Sequence, residues 1–334
     1  MNMHKKLIQA LPLILSILSS YVMADYSTHP SAKKFINAMQ ADKDFDDSKV
    51  ISLLKNASKQ QSIIDAMNRP AEKVKTWGDY RKIFIQERRI NQGVQFWLEN
   101  GEILSKAAKK YKVPPEIIVA IIGVETSYGR NKGNYRVIDA LTTLSFDYPK
   151  RSKFFTKQLK SFFILCEEQN QDPLSLKGSY AGAMGYGQFI PSSYRSFAVD
   201  FDGDGYSDIW NNKADAIGSV ANYFLQHEWK PGEKIIVPAK FDEGYESSVV
   251  NKLKFDKNIS QLKEMGFHSL YPLPQKDKAL PLILDGADGK DYLLGLHNFY
   301  VITRYNHSHL YAMAVYELSQ IIMARMNNMR DIAE

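Results

Sequence analysis

The strongest constraint on the fold is a nearly unbroken apolar run over residues 116–124, preceded by Pro114 and Pro115. Proline is tolerated in the first turn of a helix because the N–H that it lacks would have no partner there. The run therefore predicts a helix that is buried on nearly all sides. Glu125 stands at its C-terminal end, and the polar, glycine-containing residues 126–130 that follow predict a turn that opens onto a cleft.

Glu125 has two interpretations at this position. A carboxyl group at the end of a buried helix is partly desolvated, which raises its pKa toward the range of a general acid. Alternatively, Glu125 stabilises the helix end or forms an ion pair with Arg130, as many glutamates at helix ends do. The position alone leaves both interpretations open.

Length and composition indicate a globular protein that belongs outside the cytoplasm. The chain has 334 residues, 44% hydrophobic and 24% charged, enough for one large or two ordinary domains. Lys5, Lys6, the apolar residues 7–18 and the small residues before position 25 predict a cleaved secretory signal over residues 1–24. Removing its two lysines lowers the formal net charge from +6 to +4, which suits an anionic polymer such as a cell wall.

Cysteine usage bears on the redox compartment and on anchoring. Cys166 is the single cysteine, and its apolar neighbours predict a buried structural thiol. No cysteine stands at the predicted signal junction. We therefore expect a protein that is soluble after export, without a lipid anchor or a membrane span.

Hydrophobic periodicity predicts a mainly α-helical (α+β) chain with distinct regions. After the signal we expect an N-terminal α-helical region, a core that includes an acidic loop at 200–215, a small antiparallel β domain, and a C-terminal helix packing on the core, over residues 25–112, 113–232, 233–304 and 305–334 respectively. The helical region should include one long helix from about residue 91 to 112.

The β domain is predicted from a change of period beyond residue 232. Residues 234–238, 281–285 and 292–304 are short β-branched and aromatic runs separated by turn signals. Residues 259–265 predict a short helix between them.

An acidic loop matches the opening of an EF-hand calcium loop. Carboxylates at loop positions one, three and five are followed by glycine at position six, in Asp200, Asp202, Asp204 and Gly205. Position twelve, where a bidentate glutamate belongs, is Asn211, so another carboxylate must close the loop, and Asp215 at the start of the next helix is the candidate. An Asx-rich turn without metal is the alternative, but these carboxylates would repel one another strongly without a cation. Whether Asp208 or Asn211 also binds calcium stays open.

A glycine-rich segment over residues 178–191 has two interpretations. Glycines let the backbone approach a ligand closely, and its tyrosines and Gln188 suit sugar rings. A close-packed helix crossing explains the small residues equally well. A phosphate-binding loop is excluded because no lysine follows the glycines and no strand precedes them.

Other catalytic arrangements find no support. Ser127 lacks the context of a nucleophile elbow, and Cys166 stands in an apolar helix. A two-carboxylate glycosidase would need a second acid about 5 to 9.5 Å from Glu125. The nearest downstream acids, Asp139 and Asp147, are typical of helix boundaries and turns.

Six motifs in order, from about Tyr80 to the C-terminus, resemble the lytic transglycosylase B family of bacterial murein-cleaving enzymes. They comprise residues 113–130, 141–151, 178–194, 200–210, 215–224 and 298–308. The resemblance implies a goose-type lysozyme-like helical core with an added α-helical domain and a small antiparallel β domain. It also implies cleavage of the N-acetylmuramic acid to N-acetylglucosamine bond without water, leaving 1,6-anhydromuramic acid ends.

The resemblance assigns roles to individual residues. Glu125 would be general acid and then general base, and Ser179 and Asn306 would orient Glu125 or the N-acetyl group. The sugar subsites would be lined by Tyr80, Arg151, Tyr186, Gln188, Tyr223 and Tyr305. Calcium would be structural, bound by Asp200, Asp202, Asp204, Tyr206 and, with less support from loop length, Asp215. Lys150 departs from the family, which often has arginine there.

The expected partners are peptidoglycan strands and cell-wall synthesis proteins, with no nucleic acid, and we expect a monomer. Two other functions remain open at this point. A hydrolytic muramidase would use Glu125 with an activated water, and a non-catalytic wall-binding or scaffold protein would keep the cleft for recognition only.

Overall fold

The computed structural model describes residues 25–43, 45–68, 75–242, 244–245 and 250–333. The predicted signal over residues 1–24 lies outside this described part. The described chain is mainly α-helical with small antiparallel sheets, which confirms the predicted fold class. Within it, no helix combines the length and the apolar character that crossing a bilayer would require.

Helices account for most of the described residues. Their bounds are α1 Ala32–Lys43, α2 Asp47–Asn56, α3 Gln61–Asn68, α4 Trp77–Phe84, α5 Glu87–Glu99, α6 Gly101–Tyr111, α7 Pro115–Thr126, α8 Val137–Phe146, α9 Ser152–Glu168, α10 Pro191–Phe197, α11 Lys213–Gln226, α12 Ile259–Glu264, α13 His297–Tyr305 and α14 His309–Ala333. Short 3-10 turns occupy Tyr26–Thr28 and Pro149–Arg151.

The strands form two antiparallel sheets. Their bounds are β1 Tyr135–Arg136, β2 Lys177–Gly178, β3 Ile236–Phe241, β4 Phe267–Ser269, β5 Leu280–Asp285 and β6 Lys290–Gly295. The first two pair as a short ribbon, and the other four form a sheet in the order β4-β3-β6-β5. This sheet and α12 enclose a small core of their own, which contains Val237, Leu262 and Phe267.

Helix α7 is the centre of the main core. Pro114 is its N-cap and Pro115 its first residue, as the sequence predicts. Every residue from Ile117 to Val124 is buried, and α5, α6, α11 and α14 pack against the helix. Full burial of each large aliphatic side chain stabilises the fold by about 1.5–3 kcal/mol, so this helix is held in place from all sides.

The predicted long helix over residues 91–112 is wrong, because the structure has two helices, α5 and α6. They meet at Asn100, whose backbone leaves the helical region with φ −123° and ψ 21°. The side chain of Asn100 is buried and donates to the carbonyl of Phe96 at 2.7 Å. The amide thus competes with the helical hydrogen-bonding pattern, and Gly101 begins the next helix.

The predicted extended run over residues 292–304 is also wrong in its second half. Strand β6 ends at Gly295, and α13 begins at His297. Phe299, Val301 and Ile302 are buried in the main core by this helix. Burial of one helical face therefore outweighs the preference of these β-branched and aromatic residues for strands.

The glycine-rich segment is not a helix crossing. It forms turns in which Gly182 and Gly185 adopt φ 75° and 68°, joined by bridges of Met184 to Gly178 and Phe189. A side chain at Gly185 would overlap the carbonyl of Ile209. The glycines therefore allow the backbone to pack closely against a neighbouring segment, but they do so in turns and not at a helix crossing.

Gly185→Ala is expected to lower the free energy of unfolding by roughly 1–3 kcal/mol, because the methyl group overlaps backbone atoms and the positive φ is unfavourable for alanine. Urea unfolding measures the change. Gly101→Ala is the matched control: no atom lies within 4 Å of the added methyl group, so its stability should be unchanged or higher. Equal effects of the two substitutions would contradict this explanation.

Candidate active site

Glu125 lies in the last turn of α7 and is half-buried. The hydroxyl of Tyr311, from the start of α14, donates to its Oε1 atom at 2.6 Å. Burial raises the pKa of Glu125 to about 7, although the hydrogen bond from Tyr311 opposes this increase. A carboxyl group with this pKa can both give and accept a proton near neutral pH.

The backbone after Glu125 is held by side chains on both sides. Thr126 is buried, and its hydroxyl donates to the carbonyl of Tyr186 at 2.9 Å and accepts from the N–H of Gly129 at 3.0 Å. Ser127 adopts φ 49°, so the chain turns sharply out of the helix. The C-terminal end of α7 is therefore fixed to the glycine-rich segment.

Arg89, from α5, holds the same helix end from the other side. Its Nη1 atom donates to the carbonyl of Gly123 and, at 2.9 Å, to the hydroxyl of Ser127. A positive charge is favourable at a helix C-terminus, where carbonyl groups lack helical partners. Burial lowers the pKa of Arg89 from its usual value, but the guanidinium remains charged.

Three tyrosines surround the carboxyl group of Glu125. Burial, and then the negative charge of Glu125, raise the pKa values of Tyr80, Tyr305 and Tyr311. The hydroxyl of Tyr305 donates to the carbonyl of Gly187 at 2.6 Å. These phenols stay protonated at neutral pH and present hydroxyl groups and ring faces near Glu125.

Three further predicted sugar-binding residues are Tyr186, Gln188 and Tyr223. The ring of Tyr223 is 4.7 Å from that of Tyr305, and the carbonyl of Tyr186 accepts from Thr126. Gln188 has φ 51°, and its side-chain amide donates to the carbonyls of Lys132 and Gly185.

Ser179 and Asn306 differ in their surroundings. The hydroxyl of Ser179 accepts from the N–H of Ala183 at 3.1 Å and so stabilises the glycine-rich turn. Asn306 is exposed directly after α13. Neither side chain forms a hydrogen bond with Glu125 among the described residues, so the predicted orienting roles would have to act on the N-acetyl group of the substrate.

Arg151 is the predicted site residue that stands apart. It is exposed in the turn between α8 and α9, where its guanidinium lies 4.5 Å from the ring centre of Phe154. Among the described residues no hydrogen bond or ion pair joins Arg151 to Glu125 or to its tyrosines. A bound strand would have to extend beyond the Glu125 site to reach it.

The two candidate partner acids serve structural roles. Asp139 forms an ion pair with Arg136 at 2.8 Å and accepts from the N–H of Ser58. Asp147 accepts from the hydroxyl of Tyr26 and pairs with Lys59. The pKa of Glu125 reflects burial and Tyr311, with no neighbouring carboxylate contributing.

Sequence reasoning missed Tyr311, Thr126 and Arg89. Tyr311 carries a usable signal: a tyrosine placed among the small apolar residues of a core-facing helix must find a partner for its hydroxyl when buried. Its partner, Glu125, lies 186 positions earlier, and no local pattern indicates that distance.

The acidic loop brings four carboxylates together. One oxygen from each of Asp200, Asp202, Asp204 and Asp215 lies within 4.8 Å of the others. Backbone N–H groups of residues 203, 204 and 205 donate to Asp200, which holds the loop in shape. Oxygen-only ligands at this spacing fit a hard cation such as calcium.

Asp215 is fully buried at the start of α11, although its charge has no basic partner in the described residues. It accepts from the N–H groups of Phe201 and Asp208 at 2.7 and 2.8 Å. Burial, together with the charges of Asp202 and Asp200, raises its pKa to about 6. Asp208 instead accepts from the backbone of Trp210 and Asn211, and Tyr206 is exposed.

A mainly helical, lysozyme-like fold with one carboxyl group of raised pKa among tyrosines is suited to cleaving a glycan strand. The family model of the transglycosylase SLT domain matches residues 27–320, and the chain belongs to this family. It is a lytic transglycosylase, an enzyme that cleaves peptidoglycan.

Individual relatives agree with this assignment. The membrane-bound lytic murein transglycosylase B of Escherichia coli K12 is 44% identical over 307 residues, 89% of this chain and 84% of the relative. The catenated lytic transglycosylase SltB1 of Pseudomonas aeruginosa is 48% identical with a TM-score of 0.88, over 90% of this chain and 99% of that chain. The Escherichia coli lytic transglycosylase Slt35, solved in complex with calcium, is 44% identical with a TM-score of 0.82, over 90% and 95%.

Proposed function

We propose that this enzyme cleaves the β-1,4 bond between N-acetylmuramic acid and N-acetylglucosamine and forms 1,6-anhydromuramic acid ends, with Glu125 as its one acid and base. Protonated Glu125 gives its proton to the glycosidic oxygen as the bond to C1 breaks. The resulting carboxylate takes the proton of the muramyl C6 hydroxyl, whose oxygen attacks C1. Glu125 is thereby protonated again, and no water is consumed.

The observation that carries this proposal is a lone carboxyl group with a pKa of about 7. A hydrolase with two carboxylates needs a second acid to activate water or to act as nucleophile. Asp139 and Asp147 are engaged elsewhere. An internal hydroxyl nucleophile removes this need because it is already held next to C1 by the sugar itself.

The tyrosines suggest how the strand is held. Tyr80, Tyr223 and Tyr305 would offer ring faces to the sugars next to the scissile bond, with Tyr186 and Gln188 on the glycine-rich side. Ser179 and Asn306 would contact the N-acetyl group, and Arg151 would bind a more distant part of the strand. Tyr311 keeps one oxygen of Glu125 occupied, which leaves the other oxygen for proton transfer.

Calcium is proposed as a structural ion. Asp200, Asp202, Asp204 and Asp215 would hold it, with the carbonyl of Tyr206 as a further ligand. The buried Asp215 supports this, because a cation would compensate a carboxylate that otherwise has only N–H partners. The ion would tie residues 200–206 to the start of α11 and would take no part in the proton transfers.

The proposal also includes the predicted domain organisation and the predicted cellular location. An N-terminal helical region, a core around α7, a small β domain and the C-terminal α14 would form one monomeric enzyme. Export by the segment over residues 1–24 would bring it to peptidoglycan in the periplasm, near cell-wall synthesis proteins.

Chemical reduction of the products tests the proposed reaction. Murein digested by the mature protein is treated with borohydride, which reduces the free end left by hydrolysis but leaves a 1,6-anhydro end unchanged. We expect unreduced muramyl ends. Reduced muramyl ends would show that water reaches C1 and would contradict the internal attack.

Tyr311→Phe is expected to raise the pKa of Glu125 further, because the lost hydrogen bond stabilises the carboxylate. The alkaline limb of the pH profile of kcat/KM should move to higher pH, since Glu125 must begin protonated. We also expect turnover to fall by about tenfold, because the carboxyl group is less well oriented. Tyr316→Phe, on the same helix, is the control and should keep the parental profile; identical profiles for both variants would contradict the role of Tyr311.

A further inference from the structure

A polar cavity of about 210 Å³ lies beside the C-terminal end of α7. We call it the arginine-lined cavity. Three guanidinium groups and uncharged polar side chains line it, namely Arg88, Arg89, Arg130, Gln86, Gln92, Ser127 and Asn131. No lining residue is acidic, so the cavity is strongly positive.

Neutral oxygens hold these guanidinium groups. Arg89 donates to the Gly123 carbonyl and the Ser127 hydroxyl. With its amide oxygen facing the arginines, Gln92 accepts from Nε of Arg88 at 3.2 Å and from Nη1 of Arg130 at 3.1 Å. The arrangement keeps like charges together without neutralising them, and their repulsion opposes folding.

Carboxylates pair with other arginines instead. In the part of the chain that the structure describes, the arginine–carboxylate ion pairs belong to Arg81, Arg136, Arg195 and Arg325. The cavity therefore lacks an internal counter-charge among the described residues. A bound anion would supply one.

The first turn of α5 adds two further unmet requirements. The buried Nε atom of Arg89 has no hydrogen-bond partner among the described atoms, although buried donors are nearly always paired. The N-cap, Gln86, provides no side-chain cap for this 13-residue helix. Arg88 and Arg89 also stand at a helix N-terminus, where negative groups are favoured, and the acidic residue of this turn, Glu87, is paired with Arg325.

Volume and chemistry define the ligand class. Guanidinium groups match the oxygens of carboxylates and phosphates through paired hydrogen bonds. The cavity is smaller than the roughly 300–1,000 Å³ typical of sites that enclose a whole organic ligand. It can hold one small oxyanionic group with a few waters.

Neighbouring side chains link the cavity to the carboxyl group of Glu125. The guanidinium of Arg89 lies 5.3 Å from the ring centre of Phe84, and this ring lies 5.1 Å from that of Tyr80. Tyr80 is close enough to Glu125 for its pKa to respond to that charge. Ser127, which lines the cavity, is two positions from Glu125.

We propose that the arginine-lined cavity is an oxyanion site that binds a stem-peptide carboxylate of the bound murein strand or a free phosphate-type anion. The first source rests on the proposed function, because it requires a murein strand across Glu125. The second source does not. Arg88, Arg89 and Arg130 would bind the anion, and Arg89 would also keep its hold on α7.

Arg130→Gln in the full mature chain tests the proposal, with Arg330→Gln as a control that removes the same charge from the exposed end of α14. Rates are measured on murein strands with stem peptides and on strands from which an amidase has removed them. With a stem carboxylate as ligand, Arg130→Gln should raise KM about tenfold on stem-bearing strands and leave kcat and all rates on stem-free strands unchanged.

A second arm measures thermal unfolding of the same three proteins in inorganic phosphate. With a free anion as ligand, phosphate should raise the melting temperature of the parent and of Arg330→Gln, but not that of Arg130→Gln. Arg88→Gln should reproduce whichever effect is seen. The proposal is overturned if Arg130→Gln and Arg88→Gln behave like Arg330→Gln in both experiments. A parent enzyme that cleaves neither kind of strand would contradict the proposed function, and the phosphate experiment alone would then decide whether the cavity binds an anion.

Discussion

Glu125→Gln should reduce turnover on murein by at least about 10³-fold, because in the proposed mechanism one group performs both proton transfers and each is typically worth 10²–10⁴. Glutamine keeps the shape of the side chain and can still accept from Tyr311, so the loss reports the proton alone. Initial rates with purified murein measure it. Glu116→Gln is the matched control, since Glu116 is a half-buried glutamate in the first turn of the same helix. It should keep parental activity.

Glu125→Gln should also make the protein more stable than the parent at alkaline pH. Burial raises the folded-state pKa of Glu125 from 4.5 to about 7, so the folded protein binds the proton more tightly than the unfolded chain. Below about pH 4.5 both states are protonated and the substitution should change little. Between pH 4.5 and 7 the parent loses stability, and above pH 7 the difference reaches at most about 3 kcal/mol in favour of glutamine.

Urea unfolding at pH 4 and pH 8 measures this difference. An activity loss combined with a pH-dependent gain in stability is expected of a residue held in an unfavourable environment for its function. Equal stability of parent and Glu125→Gln at pH 8 would show that the carboxyl group is well solvated, and the basis of its raised pKa would fail.

Calcium should raise the melting temperature by roughly 5–10 °C at a concentration one hundred times its dissociation constant. Binding to the folded state alone contributes about 2.7 kcal/mol under that condition, and each kcal/mol shifts the melting temperature of a chain this large by about 2–4 °C. The expected cause is relief of the repulsion among Asp200, Asp202, Asp204 and Asp215, whose oxygens lie within 4.8 Å of one another. Scanning calorimetry with calcium and with chelator measures the shift.

Asp202→Asn should abolish most of the calcium response, because it removes one ligand charge from the loop. Asp288→Asn is the control: it removes an equal charge from the exposed β5–β6 turn and should respond to calcium as the parent does. Turnover well below the melting temperature should be similar with and without calcium. If neither calcium nor chelator changes the melting temperature of the parent protein, the structural role of the loop is disproved.

Local patterns were sufficient to predict the element that carries Glu125. Its prolines, its apolar run and the polar turn that follows each act over a few residues, and the helix, its burial and its end were all predicted. The acidic loop could likewise be predicted, because loop positions one to six follow a fixed geometry. Proximity of Asp215 to that loop was inferred from spacing alone, and the structure brings them together.

Contacts between distant parts of the chain were beyond such patterns. Tyr311 and Arg89 form hydrogen bonds with α7 residues that are 186 and 34 positions away in the sequence. The interruption at Asn100 depends on a side-chain hydrogen bond to Phe96 that competes with the helix. Residues 297–305 have strand propensity but form α13, because burying Phe299 and Ile302 in the core decides the outcome.

The most direct test of the central claim is mass spectrometry of muropeptides released by the parent protein and by Glu125→Gln under identical conditions. Single-carboxylate transglycosylation predicts parent products that are each lighter than the hydrolytic product by the mass of one water, and no product from Glu125→Gln. Products of full hydrolytic mass from the parent, or anhydro products that persist with Glu125→Gln, would contradict it.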